Sequence, residues 1–327
     1  MFRRSLQFAI VALAALLILG SPLSAIALQD GAATPAPAPQ LPATVTDVKG
    51  NEITVTDVSR IVPLSGDVAE IIYDLGLAAN VVGVDVSAVY PEGQWDGLPT
   101  IGFERQLSAE GILSLNPTVV IGKEQAGPIT VLDQIREAGV PVVIVQEPQT
   151  IEAPTLKIAA VAAALGVPAA GEELVVKARA SIDAAIARAA TSTSKPTVMF
   201  LYVRGGGTQL IGGKGSVADA MIEAAGGVDA GSAAGIAYFM PVTAEAIVAA
   251  QPEVIMLPKS GVDSIGGMDA VMEIPGVAET PAAANNQILV FDDLLLLGMT
   301  PRTGEFLQEL VTLLHPELPA FEATPAT

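Results

Sequence analysis

The chain has 327 residues, 51% of them hydrophobic and 16% charged, with a net charge of −19, which describes a globular chain long enough for two domains of ordinary size. The acidic balance excludes nucleic acid as a partner, because phosphate binding needs clustered Lys and Arg; an anionic ligand would need locally placed arginines. With no Cys and one His, disulfides, thiolate metal sites, Cys nucleophiles and histidine-based metal centres or triads are excluded too.

Arg3 and Arg4 precede an apolar run from Phe8 to Leu19, and Ala25-Ile26-Ala27 offers small residues for cleavage, so residues 1–27 read as an export signal. The run is shorter than the ~20 residues of a spanning helix, and a retained anchor is the alternative. Residues 28–44, rich in Ala and Pro, read as a semi-extended linker.

"TVTDVKGNEITVTD" predicts a hairpin turning at Lys49-Gly50-Asn51. Apolar β runs then alternate with helical segments, as in parallel α/β units: "RIVPL", a helix from Asp67 to Leu75 opened by Asp67 and Glu70 as a capping box, "VVGVD", the helix "SAEGILSLNP", "TVVIG", the helix "GPITVLDQIREAG" and "VPVVIV". Residues 45–150 thus form a first α/β lobe. Residues 151–192 predict one long connecting helix, interrupted around Gly166-Val167-Pro168. Residues 193–317 return to the α/β pattern, with "KPTVMFLYV", a helix from Ser216 to Ala225, "TAEAIVAAQP", "EVIMLP", "QILVFD" and a closing helix from Thr303 to Leu314; 318–327 is a tail.

An internal echo relates the lobes. "LSAEGILSLNPTVVIG" and "VTAEAIVAAQPEVIML" share a hydroxyl residue, Ala-Glu, an Ile and a Pro before an apolar strand. Their separation is far longer than the ~20 to 50 residues of a solenoid repeat. The expected architecture is therefore α/β, with two homologous lobes joined by a single long helix and a ligand cleft between them.

The echoed acids, Glu110 and Glu245, stand in first helical turns after Ser or Thr caps, where an acid either compensates the helix dipole or docks an arginine-bearing partner. "YVRGGGTQLIGGKGS" departs from a phosphate loop at Thr208 and Gly215; its glycines serve either close backbone approach of a ligand or a tight connection. Arg204 ends the strand on the side where α/β sheets collect ligands, and a surface ion pair is its plainer role. Tyr73 has helical spacing toward the core; Tyr90 and Trp95 either line or cover a pocket; His315 ends the last helix; Glu104, Glu124, Asp292 and Asp293 read as ordinary acids. The loops before the two echoed helices place Phe103 and Arg105 opposite Tyr238, Phe239 and Met240. With Arg204, they suit a large, flat, partly anionic ligand, since guanidinium forks match carboxylates and aromatic rings stack on planar faces.

"RIVPLSGDVAEIIYDLGLAANVVGVD", "IGFERQLSAEGILSLNPTVVIG", "GGKGSVADAMIEAAGG" and "FDDLLLLGMTPRTGEF" resemble the solute-binding proteins of ABC importers for iron chelates and vitamin B12, and within them the hemin-binding periplasmic proteins. The resemblance covers residues 45–315. It implies two lobes on a long helix, heme as transported ligand rather than catalytic cofactor, and Glu110 and Glu245 docking on a permease that works with its ATPase. Hemin binders of this kind often carry an axial Tyr where this chain has Phe103, and some carry a His near Arg105. In the second lobe some relatives use a Tyr, matched by Tyr238, with an Arg two residues later where this chain has Met240. The resemblance therefore implies iron ligation by Tyr238, alone or assisted by Met240, with Arg105 and Arg204 on the propionates. A corrinoid or ferric siderophore on the same scaffold is the alternative, and a carboxylate-based surface enzyme is a distant one.

Overall fold

The computed structural model describes residues 38–321; the expected signal, most of the linker and the end of the tail lie outside them. Strands β1 (Ala43–Thr46) and β2 (Glu52–Val55) pair antiparallel about the predicted turn, where the Asp47 carboxylate accepts from the backbone N–H of Lys49 and Asn51 at 2.8 and 2.9 Å. The first lobe then follows as β3 (Ile61–Pro63), α1 (Gly66–Asp74), α2 (Ala109–Leu113), β4 (Val119–Lys123), α3 (Ile129–Glu137) and β5 (Val142–Val145). Strands β3, β4 and β5 form a parallel sheet in that order.

Every residue of these three strands is buried, as a sheet covered on both faces requires. Alternation sorts their side chains. Ile61, Val119, Ile121, Val143 and Val145 join one core, and Val62, Val120, Val142 and Ile144 join the other.

The expected connecting helix is split in two, α4 (Ala153–Ala164) and α5 (Pro168–Ala189). Gly166 takes φ +70 between them, and Pro168 opens α5 at the first-turn position a ring tolerates. Gly171 faces Ala162 so closely that a Cβ would lie 2.3 Å from the alanine methyl, so α5 folds back on α4. Its other end reaches the second lobe, where a Cβ on Gly304 would lie 2.3 Å from the Ser181 hydroxyl.

The second lobe comprises β6 (Thr197–Arg204), β7 (Thr208–Gly212), α6 (Val217–Ala224), β8 (Val228–Asp229), α7 (Ala230–Ala233), β9 (Phe239–Pro241), α8 (Ala244–Ala250), β10 (Val254–Pro258), α9 (Lys259–Ile265), α10 (Met268–Met272), α11 (Pro281–Ala284), β11 (Ile288–Phe291), α12 (Asp293–Leu297) and α13 (Thr303–Leu314). Its sheet runs β11-β10-β6-β7-β9, with β8 also on β6. The first three strands are parallel, and β7 and β9 add antiparallel. Val198 and Phe200 face the core under α6 and α13, while Met199, Leu201 and Val203 face the core on the other side. The echo recurs in the order of elements: α2 leads to β4, and α8 leads to β10.

Candidate functional site

The first-lobe loop is fixed by its backbone. Ile101 N donates to Val84 O at 2.9 Å, Gly127 N to Glu104 O at 2.8 Å and Leu107 N to Gly127 O at 3.0 Å. Gly102 at φ +91 makes the turn, leaving the Phe103 ring half-buried at the surface. From the second lobe, Arg204 at the end of β6 lays its guanidinium over that ring, 5.2 Å from the centroid. This contact brings the first-lobe loop against the carboxyl end of β6, the side on which α/β sheets collect ligands. The glycines after Arg204 form the β6–β7 turn, with Arg204 paired to Thr208, and Gly213 and Gly215 lie in the connection from β7 to α6.

Tyr238 stands in the second-lobe loop at φ +55 with 66% of its surface exposed. Phe239 beside it is 45% exposed and edges onto Phe200 and Tyr202, both with centroids 6.4 Å away. Met240 points to the opposite face, as the next residue along a strand must, and packs into the second-lobe core. The thioether expected to assist the phenol is therefore engaged in packing. Arg105 has 63% of its side chain exposed, and its contact with Glu104 is 3.9 Å. The structure brings Phe103 and Arg204 together and leaves Arg105 and Tyr238 open to solvent.

Glu110 and Glu245 are both exposed in the first turns of α2 and α8. Ser108 accepts from Gly111 N at 3.3 Å and Thr243 from Ala246 N at 3.2 Å. The caps serve these helix starts, and among the described residues neither carboxylate makes an ion pair.

Beneath the first-lobe loop lies a buried ion network that sequence reading missed. Lys157 Nζ on α4 is fully buried and lies 2.6 Å from Asp67 Oδ2, 3.0 Å from Glu147 Oε1 and 2.5 Å from Gly298 O. Lys123 Nζ at the end of β4 lies 3.3 Å from Asp67, 3.0 Å from Glu147 and 3.9 Å from Glu104. Burial alone would raise the Asp67 carboxyl, but the two ammonium groups outweigh it and hold it below the usual carboxylate range. Burial likewise opposes the charge on Lys123, and its three acids raise it above the ordinary lysine value. Glu104 is pushed up by burial, with Lys123 offsetting only part. Asp67 is thus a network centre rather than a capping residue; the helix cap is Ser65. A lysine inside the apolar run "TLKIAAVAAAL" was the available signal.

A second tie joins the lobes. Arg302 holds the buried Glu70 bidentately at 2.9 and 2.8 Å and lies 3.4 Å from the Tyr90 ring centroid. Trp95 is buried and donates to Tyr90 O at 2.8 Å. Tyr73, expected in the core, is 36% exposed and edges onto Trp95 at 6.5 Å. His315 is fully buried between Ser194 and Ala225 O, a packing role.

The profile of the periplasmic binding protein family matches residues 61–294. The chain belongs to this family. Among solved structures, the binding protein is similar to the periplasmic heme-binding protein RhuT from Roseiflexus sp. RS-1 in apo form, 49% identical over 80% of this chain and 99% of that one, with a TM-score of 0.78. It is 36% identical to the heme-binding protein HmuT over 86% of this chain and 92% of that one, with a TM-score of 0.79. It also resembles YvrC, an uncharacterised ABC transporter substrate-binding lipoprotein of Bacillus subtilis (strain 168), 25% identical over 84% of this chain and 86% of that one. The two-lobe fold of the binding protein is that of these relatives. Among the described residues, no helix is long and apolar enough to cross a membrane.

Proposed function

We propose that the protein is an exported binding component that carries heme in its cleft and hands it to an ABC permease driven by its ATPase, without catalysing a reaction. The observation that carries this reading is Tyr238: an exposed phenol, held at φ +55, in the second-lobe loop that matches the Phe103 loop of the first lobe, in a chain whose relatives include heme-binding proteins. A phenolate is a good ligand for ferric iron. Phe103 supplies a face for the macrocycle rather than a second ligand, so iron is held from the second lobe.

Arg204 already lies at the cleft and would leave Phe103 to meet a propionate, where a guanidinium fork binds a carboxylate bidentately. Arg105, free on the other rim, serves the second propionate. Glu110 and Glu245 present one carboxylate per lobe to arginines of the permease.

Hemin titration into the purified mature protein and its Tyr238→Phe variant tests the assignment. The variant is expected to lose affinity and to shift the Soret band; an unchanged spectrum and affinity would overturn Tyr238 as the ligand. Cobalamin and a ferric hydroxamate, compared with hemin by their effect on melting temperature, test the cargo class through binding linkage; the largest rise belongs to the true cargo.

A further inference from the structure

The segment from Gly212 to Asp219 supplies none of the groups assigned to the ligand, yet it is shaped throughout by the Tyr238 loop. A Cβ on Gly213 would lie 2.4 Å from Ile236 O, which no side chain tolerates. Gly215 takes φ +86, and the Tyr238 ring lies over it, 3.4 Å from where a Cβ would stand. Gly213 N donates to Tyr238 O and Tyr238 N to Lys214 O, both at 2.9 Å. Tyr238 itself is in the left-handed region that non-glycine residues seldom adopt. That conformation is strained and persists only where its surroundings over-determine it. The surroundings here are this segment.

What holds the segment is Asp219. One of its carboxylate oxygens accepts from Gly215 N at 2.9 Å, directly under the ring. The other accepts from the Ser232 hydroxyl at 2.6 Å, and that hydroxyl also lies 2.8 Å from Asp229 Oδ2. A hydroxyl has one proton. Ser232 therefore donates to one carboxylate at a time, and its hydroxyl makes a ladder from Gly215 through Asp219 to Asp229. Both acids are buried, at 8% and 3% exposure, so the ladder is screened from water.

We propose that Asp219 is the positioning residue of Tyr238: through Gly215 it fixes the cradle that holds the phenol in its exposed, left-handed pose and so sets the geometry of the tyrosine–iron bond. This rests on Tyr238 being the ligand. Loss of a residue that orients a metal ligand typically costs about 10- to 100-fold in affinity.

Hemin titrations into the wild type, Asp219→Ala, Asp219→Asn, Tyr238→Phe and the Tyr238→Phe/Asp219→Ala double variant test it. Asp219→Ala is expected to weaken hemin binding about 10- to 100-fold and to shift the phenolate-to-iron charge-transfer band. Asp219→Asn, which still accepts from Gly215 N, retains most of the affinity, and Asp219→Ala adds no further loss on the Tyr238→Phe background. Wild-type affinity and spectrum in Asp219→Ala, or an equal loss on both backgrounds, would overturn the proposal. If Asp219→Ala does not fold, Gly215→Ala decides the matter, since a side chain is strained at φ +86 directly under the ring; it must reproduce the spectral shift, and a wild-type spectrum overturns the proposal. An unaltered Tyr238→Phe titration would instead refute the ligand assignment, a distinct outcome.

Discussion

Arg204 and Phe103, from opposite lobes, meet as cation over ring at 5.2 Å. A contact of this kind at an exposed site contributes about 0.5–1 kcal/mol, enough to bias the side chains and too little to lock the lobes. Arg204→Ala is therefore expected to leave stability nearly unchanged while weakening hemin binding. Arg204→Lys restores charge without the planar fork and falls between the two. Denaturant unfolding and hemin titration on the same three proteins check both halves; equal affinities would remove Arg204 from the site.

Lys157 is expected to be the most sensitive charged residue for stability. Its ammonium group ties Asp67, Glu147 and Gly298 O inside the protein. Lys157→Met removes the charge at similar volume and leaves buried carboxylates with only Lys123 as partner. Breaking a buried pair this way typically costs about 3–5 kcal/mol. Urea unfolding at neutral pH is the measurement, and a change below 1 kcal/mol, roughly that of an exposed pair, would contradict it.

Asp229 gives stability a pH dependence with a definite sign. Burial first, and the neighbouring Asp219 carboxylate second, push its folded value from 3.8 up to about 6, against the hydrogen bonds from Ser232 and Gly231. Between those values the folded protein keeps a proton that the unfolded chain has released. Stability from this group is therefore full below 3.8 and declines as pH rises to about 6. Asp229→Asn mimics the protonated acid and removes the decline. Relative to wild type, the variant should gain more at pH 7.5 than at pH 4, measured by urea midpoints at both.

Glu110→Ala and Glu245→Ala separate docking from cargo binding. Each residue is exposed and contributes about 0.3–1 kcal/mol through the helix dipole, so hemin affinity should be unchanged and stability only slightly lower. Binding to a reconstituted permease and ATPase should fall for each and fall further for both. Undiminished transport by the double variant would leave these acids with a helix-capping role alone.

Much of this protein was legible as a string of residues because the relevant forces are local. Apolar runs bounded by Gly and Pro marked the buried strands, Ser108 and Thr243 marked two helix starts, and the repeated Ala-Glu-x-Ile pattern marked two equivalent lobes. A rule of spacing does not record what a residue meets across the fold. Asp67 and Glu70 satisfied a capping pattern, yet their partners, Lys157 and Arg302, come from remote segments. Met240 occupied the position expected to assist Tyr238, but strand alternation and the second-lobe core turned it inward.

The sequence by itself determined the class of the fold, its two-lobed plan and the aromatic and cationic character of the cleft, since periodicity and side-chain chemistry are properties of the chain. Only the tertiary structure decided which charges are buried together, that Arg204 covers Phe103, and that Tyr238 stands on Gly215, whose N–H donates to Asp219. Those relations arise from close packing and hydrogen-bond closure between distant segments, where angstrom-scale distances decide which groups can pair.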